Sequence, residues 1–379
     1  MKKLLSVITI ILLILLLTFL FSPSYLRMAI IHQYVGIDDH KIFLTRTVKS
    51  GESIPWKISE NYNKTAISSN DKKKIEAYQS IAFLIIQNDS IKYEEYWDTY
   101  NDSSLTNAFS ATKSIISLLV GIAIDEGKIK SIDQKIGDFF PEIKGKYSGE
   151  VSVRNLLTMS SGLNWDESYG SPFSKTTQAY YGSNLEKLIF DLEIFEKPGQ
   201  KFKYLSGTTQ LLAFVIQKAT GKTVSEYASE KLWKPIGAQH DALWYLDKAN
   251  GMEKAYCCFT SNARDFARIG KLVLDSGRIN GNQIISESYI SLLSQADTFL
   301  IDEKNQKVDY YSMQWWIVDY NGMKIPYARG ILGQYIFVIP QMNAVVVRLG
   351  HKRDENYKNH HPLDVYLYLD TAFKILKKQ

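Results

Sequence analysis

The sequence predicts an α+β fold, an antiparallel sheet flanked by helices and built from both ends of the domain, with a mostly helical lobe between. Three observations carry that reading. Runs that read as strands lie at 81–97 and return at 313–349. Helical periods dominate from about 130 to 300. A chain of 379 residues is long enough for one large domain, or two intimate ones, with a real core.

Residues 81–86 form a continuous apolar run, a candidate central strand. Gln87-Asn88-Asp89-Ser90 supplies a turn, and 91–97 returns as a second strand. The stretch Phe109-Ser110-Ala111-Thr112-Lys113-Ser114 then opens an apolar helix. Apolar residues at 115, 116, 118, 119, 122 and 123 give it a wide buried face, and Gly127 is placed for the left-handed C-terminal position. Further helices are expected at 153–159, 208–219, 263–276 and 363–376. Strands are expected at 313–318, 337–339 and 344–349, the last two flanking a turn at 340–343. Asn321-Gly322 is the strongest hairpin signal in the chain.

The expected organisation is a signal-anchor or signal peptide at 1–26, a membrane-proximal spacer at 27–75 and one domain at 76–379. Within that domain, 76–118 and 301–379 form an α/β lobe and 119–300 a helical lobe, with Ser110 at the seam. Residues 4–21 are apolar apart from Ser6, Thr9 and Thr18 and follow Lys2-Lys3. They can span a bilayer, with the lysines favouring a cytoplasmic N-terminus. No small-x-small cleavage site is evident, so an uncleaved anchor is the first reading and a cleaved signal peptide the alternative. Either places the main domain outside the cytoplasm.

Composition narrows the function. The net charge of +5 is small and scattered, with no basic-aromatic stripe for a nucleic acid. The six histidines lack His-x-His and His-Glu-x-x-His spacing, so no metal site is expected, and no cofactor. Cys257 and Cys258 are adjacent and pair only in a small ring; two buried thiols are the simpler expectation. Oligomeric state is not legible.

A serine hydroxyl becomes a nucleophile once a base takes its proton, and a lysine amine held neutral by burial is such a base. Ser110 and Lys113 lie one turn apart on one face, at a helix end whose free N–H groups suit a developing oxyanion. Ser-x-x-Lys also occurs at Ser69 and Lys72, within the polar run 68–74, which reads as a solvated linker. Local pattern alone leaves an ordinary N-cap with a surface lysine open at Ser110.

Longer phrases decide between these. Beside the Ser110 stretch stand Asn155-Leu156-Leu157-Thr158-Met159-Ser160-Ser161-Gly162-Leu163, Pro198-Gly199 through Tyr204-Leu205-Ser206, and Gly330-Ile331-Leu332-Gly333-Gln334. With these, residues 76–379 resemble the serine hydrolases of the β-lactamase and penicillin-binding superfamily, on the class C and esterase side. The Trp165-Asp166-Glu167-Ser168-Tyr169 loop and the Trp315-Trp316 strand resemble the 6-aminohexanoate-dimer hydrolase group most.

The resemblance implies a β-lactamase/transpeptidase-like fold and acyl transfer through a serine ester to a small ester or amide. Ser110 would attack, Lys113 would hold Tyr204 or Ser110 deprotonated, and Tyr204 would carry the proton to the leaving group. The backbone N–H groups of Ser110 and Gln334 would bind the oxyanion. Tyr-x-Ser recurs at Tyr181 and Tyr289, and position selects Tyr204. Ser206 would orient Lys113; Tyr169 is a candidate contact to a leaving amine, with simple packing as its alternative. The chain departs from the superfamily where Lys-Thr-Gly is usual: Ile331-Leu332-Gly333 stands there, and Arg329 is the candidate replacement for the lost carboxylate anchor. Penicillin hydrolysis and D-Ala-D-Ala cleavage therefore fit poorly, and a neutral ester or short amide fits better. The rival of another class is a non-catalytic protein binding cell-wall peptides or a partner on the same fold. A Ser-His-Asp hydrolase has no Gly-x-Ser-x-Gly elbow to support it.

Overall fold

The computed structural model describes residues 1–377. Its strands are β1 (Thr45–Val48), β2 (Lys57–Ile58), β3 (Ser80–Gln87), β4 (Ser90–Tyr96), β5 (Thr106–Asn107), β6 (Ala242–Tyr245) and β7 (Phe259–Ser261). There follow β8 (Arg278–Ile279), β9 (Asn282–Gln283), β10 (Tyr311–Ser312), β11 (Trp315–Tyr320), β12 (Met323–Gly330), β13 (Gln334–Ile339) and β14 (Ala344–Gly350). The principal helices are α1 (Lys2–Phe21), α2 (Ser24–His32), α3 (Ser69–Ala77), α4 (Thr112–Asp125), α5 (Val153–Leu157) and α6 (Lys175–Tyr181). Then come α7 (Leu185–Phe190), α8 (Ser206–Thr220), α9 (Val224–Ala228), α10 (Ala263–Leu274), α11 (Glu287–Leu293) and α12 (Leu363–Lys377).

The fold is mixed α+β. The main sheet runs β10-β11-β12-β13-β14-β3-β4-β2, so β3, from the start of the domain, lies beside β14, near its end. Their antiparallel register sets Val346 opposite Ile85. Pairing is antiparallel except at the edge, where β2 joins β4 in parallel. The β11–β12 hairpin turns at Asn321 and Gly322, both at positive φ (52° and 76°), as a two-residue primed turn requires.

Alternation along the strands gives the sheet two apolar faces. Leu84, Ala328, Ile336 and Val345 point into the larger core with α4 and α10. Phe83, Tyr327, Phe337 and Val346 point into a second core closed by α12. Helix α4 is apolar nearly all round, and Thr112 through Ala123 are buried on every side, as such a helix demands.

Three sequence expectations are corrected. The expected spacer at 27–75 is packed onto the domain: β1 pairs with β6 in a small sheet ordered β1-β6-β7-β5, and Ile37, Val48 and Ile75 are fully buried. The polar run at 68–74 is not a linker but the start of α3, whose Ser68 cap accepts from Asp71 N at 3.1 Å; Asp71 and Ile75 turn inward. Cys257 and Cys258 are joined as a disulfide rather than held as thiols, where a left-handed Cys258 (φ 77°) brings both sulfurs to one side. The mostly helical stretch at 119–300 also contains β6, β7, β8 and β9.

Candidate active site

Ser110 lies in a 3₁₀ turn, Phe109–Ala111, that runs straight into α4. The turn is entered through Phe109 at φ 46°, a conformation that side chains with a Cβ seldom adopt. It is held there by Asn107 Oδ1, which accepts from Phe109 N at 2.9 Å, and by burial of the Phe109 ring in the larger core. The strained residue thus turns Ser110 out of the helix line and leaves it partly exposed.

One turn on, Lys113 is only 1 % exposed. Its Nζ donates to Ser110 Oγ at 3.1 Å and to the Tyr256 carbonyl at 2.7 Å. Both partners are uncharged. The Tyr204 ring lies beside the same amine, its centre 5.0 Å from Nζ, and Tyr256 flanks it at 5.7 Å. Tyr204 is braced by Trp316 and Tyr311, with ring centres 5.5 and 6.1 Å away. Burial raises the Tyr256 hydroxyl well above its ordinary pKa, so that group stays neutral.

The sheet edge reaches Ser110 because Gly330 has no side chain: a methyl group there would overlap the Ala108 carbonyl, two residues before the serine. After Gly330 the chain turns through Leu332 (φ 61°) and Gly333 (φ 84°) into β13, which begins at Gln334. Arg348, fully buried, fixes this corner by donating to the carbonyls of Leu332 at 2.9 Å and Gly333 at 2.8 Å. The Gln334 side chain is spent on bracing: its Nε2 donates to Gly350 O at 2.6 Å and its Oε1 accepts from Gly350 N at 3.2 Å. The side chain is thus committed to the chain around it, at the first residue of β13.

The remaining expected residues divide. Ile331 lines the pocket together with Leu332, whereas Gly333 is buried behind them against Arg348. Ser206 makes no hydrogen bond to Lys113; its Oγ donates to Glu167 Oε1 at 2.6 Å and its N–H to Glu167 Oε2 at 2.6 Å. Glu167 thereby supplies the cap that Leu205, at the N-cap position of α8, has no side chain to make. Tyr169 lines the pocket, 56 % exposed, and donates to the same carboxylate at 2.5 Å.

Arg329 is not at the serine. It follows Tyr327 on the other face of β12, lays its guanidinium 3.1 Å over the Trp316 ring and donates to His360 O at 2.9 Å. It opens on a separate cavity with Tyr310 and His360. The cations that do line the Ser110 pocket are Lys352 and Arg353. These, with Glu167 and Tyr256, escaped sequence reasoning. Only the Trp165-to-Tyr169 phrase held a signal for any of them, and it did not single out the carboxylate.

The pocket has a volume of about 630 Å³ and is lined by Ser110, Cys257, Ile331 and Leu332 among others. Unexpectedly, α2 and the residues after it form another wall, through Ala29, Ile30, Gln33, Tyr34 and Val35.

A family profile described as Beta-lactamase matches residues 72–366. The chain belongs to the Beta-lactamase family. It is thus a hydrolase of the β-lactamase fold. It is 25 % identical over 317 residues to the 6-aminohexanoate-dimer hydrolase of Paenarthrobacter ureafaciens, covering 79 % of this chain and 80 % of that one. Among solved structures, a provisional 6-aminohexanoate-dimer hydrolase from Bacillus anthracis superposes with a TM-score of 0.78 at 22 % identity, over 94 % of each chain. A penicillin-binding protein from Bacillus halodurans superposes with a TM-score of 0.62 at 15 % identity, over 80 % of this chain and 99 % of that one. At such identities these structures speak for the fold alone.

Proposed function

We propose that this Beta-lactamase family member is a serine esterase or amidase that works through an acyl-serine intermediate, on a domain held outside the cytoplasm by α1. The observation that carries the chemistry is the buried Lys113 amine, 3.1 Å from Ser110 Oγ, with no charged group among its hydrogen-bond partners. Ser110 Oγ attacks the substrate carbonyl as its proton passes to Lys113. The oxyanion lies between the backbone N–H groups of Ser110 and Gln334. Tyr204, against the lysine, returns the proton to the departing alkoxide or amine, and water then releases the acid from Ser110.

The apolar Ile331-Leu332 edge favours a substrate with no carboxylate at that point, so slow nitrocefin cleavage is expected. The relative named for 6-aminohexanoate dimer supports testing a linear amide beside a simple ester. For the anchor, α1 is long and apolar enough to cross a bilayer and none of its residues is buried against the domain.

The test is covalent. A fluorophosphonate should label the full chain once, at Ser110 by peptide mass, and abolish p-nitrophenyl butanoate hydrolysis in proportion. A folded protein that is neither labelled nor active would favour a binding role.

A further inference from the structure

We propose that the substrate is a long-chain acyl ester or amide resident in the membrane, delivered to Ser110 past α2. This rests on the acyl-serine reading above and on α1 remaining in the bilayer. Helix α2 begins at Ser24, three residues after α1 ends at Phe21. The pocket-lining Ala29 and Ile30 are therefore on the order of 12 Å of helix from the membrane span. Arg27 fixes that junction by donating to the Leu20 carbonyl at 3.0 Å and to the Ser22 carbonyl. Helix α2 is in turn packed on α6, with the His32 and Tyr181 rings stacked at 6.2 Å. The pocket mouth is thus tied to the bilayer surface by a short, braced connection.

The mouth has the composition of a membrane-facing rim. Of the pocket-lining residues, Ile30 is 55 % and Tyr34 86 % exposed; Ile31 and Phe173, next to the pocket-lining Ile30 and Pro172, are 60 % and 70 % exposed. Exposed apolar and aromatic groups beside a membrane span are what an interfacial segment presents to lipid. Val35, Ile331 and Leu332 line the same pocket as Ser110. An acyl chain leaving the bilayer keeps apolar contact with these residues, while its carbonyl reaches the serine. In the reaction the Ser110 Oγ–acyl bond forms as the substrate's C–O or C–N bond breaks. The serine proton leaves with the alcohol or amine, and water then cleaves the acyl-serine to the fatty acid and free Ser110.

The experiment uses the full chain in phosphatidylcholine vesicles, with p-nitrophenyl dodecanoate in the bilayer and p-nitrophenyl butanoate in the water. A flexible Gly-Ser segment of about twenty residues, inserted between Phe21 and Ser22, lets the domain stand off by roughly 25 Å. Dodecanoate turnover should fall by about ten-fold or more as presentation is lost, with butanoate turnover unchanged within about two-fold. Equal rates on dodecanoate with and without the insertion would overturn the proposal, as would chains recovered from membranes that begin at or beyond Ser22 by mass. Ser110→Ala separates the two readings: if it still hydrolyses both esters, the serine assignment itself fails.

Discussion

The chain carries Ser-x-x-Lys twice at the start of a helix, and the two copies differ in everything but spelling. At Ser69 and Lys72 the serine is exposed and the lysine side chain is 43 % exposed and paired with Glu95, whose hydrogen bond raises its pKa. At Ser110 and Lys113 the amine is buried and spends its hydrogen bonds on the serine and a carbonyl. The first lysine is held by a carboxylate at the surface, the second by neutral partners in the core beside a serine hydroxyl. The motif is therefore made by the sheet and helices around α4.

The largest test of that contrast is direct. Ser110→Ala or Lys113→Ala should lower ester kcat/KM by on the order of 10³-fold or more, with the fold intact by circular dichroism. Ser69→Ala and Lys72→Ala should stay within about two-fold, because Lys72 is a surface ion pair worth under about 1 kcal/mol. Equal losses at both copies would remove the distinction.

The next test moves the sheet edge that only one copy has. Gly330→Val places a side chain against the Ala108 carbonyl, so kcat should drop by about 10²-fold, with a stability loss of about 1–3 kcal/mol in urea. Smaller again is Glu167→Gln. It weakens the cap on Ser206, two residues from Tyr204, and should cost about 1–2 kcal/mol of stability, read from the urea midpoint at unchanged slope.

A last test, away from the serine, extends the contrast to a third lysine. Lys254 is buried, donates to Ala179 O at 2.9 Å and Gly182 O at 3.1 Å, and burial lowers its pKa to about 7. Above that value the folded chain binds one proton fewer here than the unfolded chain. Its contribution to stability therefore rises with pH, by up to about 1.4 kcal/mol per unit between roughly pH 7.5 and 9.5. Lys254→Met should flatten that rise in urea titrations across the window.

Much of this was legible because it is local. The α4 period, the Asn321-Gly322 turn and the long apolar strands announce themselves within a dozen residues, and Ser110 with Lys113 is one helical turn. What was hidden depends on pairings across the chain. Glu167 reaches Ser206 over 39 residues, and β1 finds β6 across about two hundred. Such short strands carry too few residues for alternation to stand out. Arg329 is different. The period of two, with Ala328 facing the larger core, already puts residue 329 on the opposite face, so its absence from the serine was readable.

Arg348 has a consequence for the order of assembly. Besides the two carbonyls at the serine's edge, it donates to Tyr78 O at 2.6 Å and to Ser80 Oγ at 3.1 Å. One cation near the end of the chain thus ties the corner before Gln334 to the start of β3. Neither side can settle until about 270 intervening residues have been made and brought back. Competence to react with substrate is therefore among the last properties the nascent chain acquires, and chains cut short before Arg348 lack the brace that shapes the edge beside their serine.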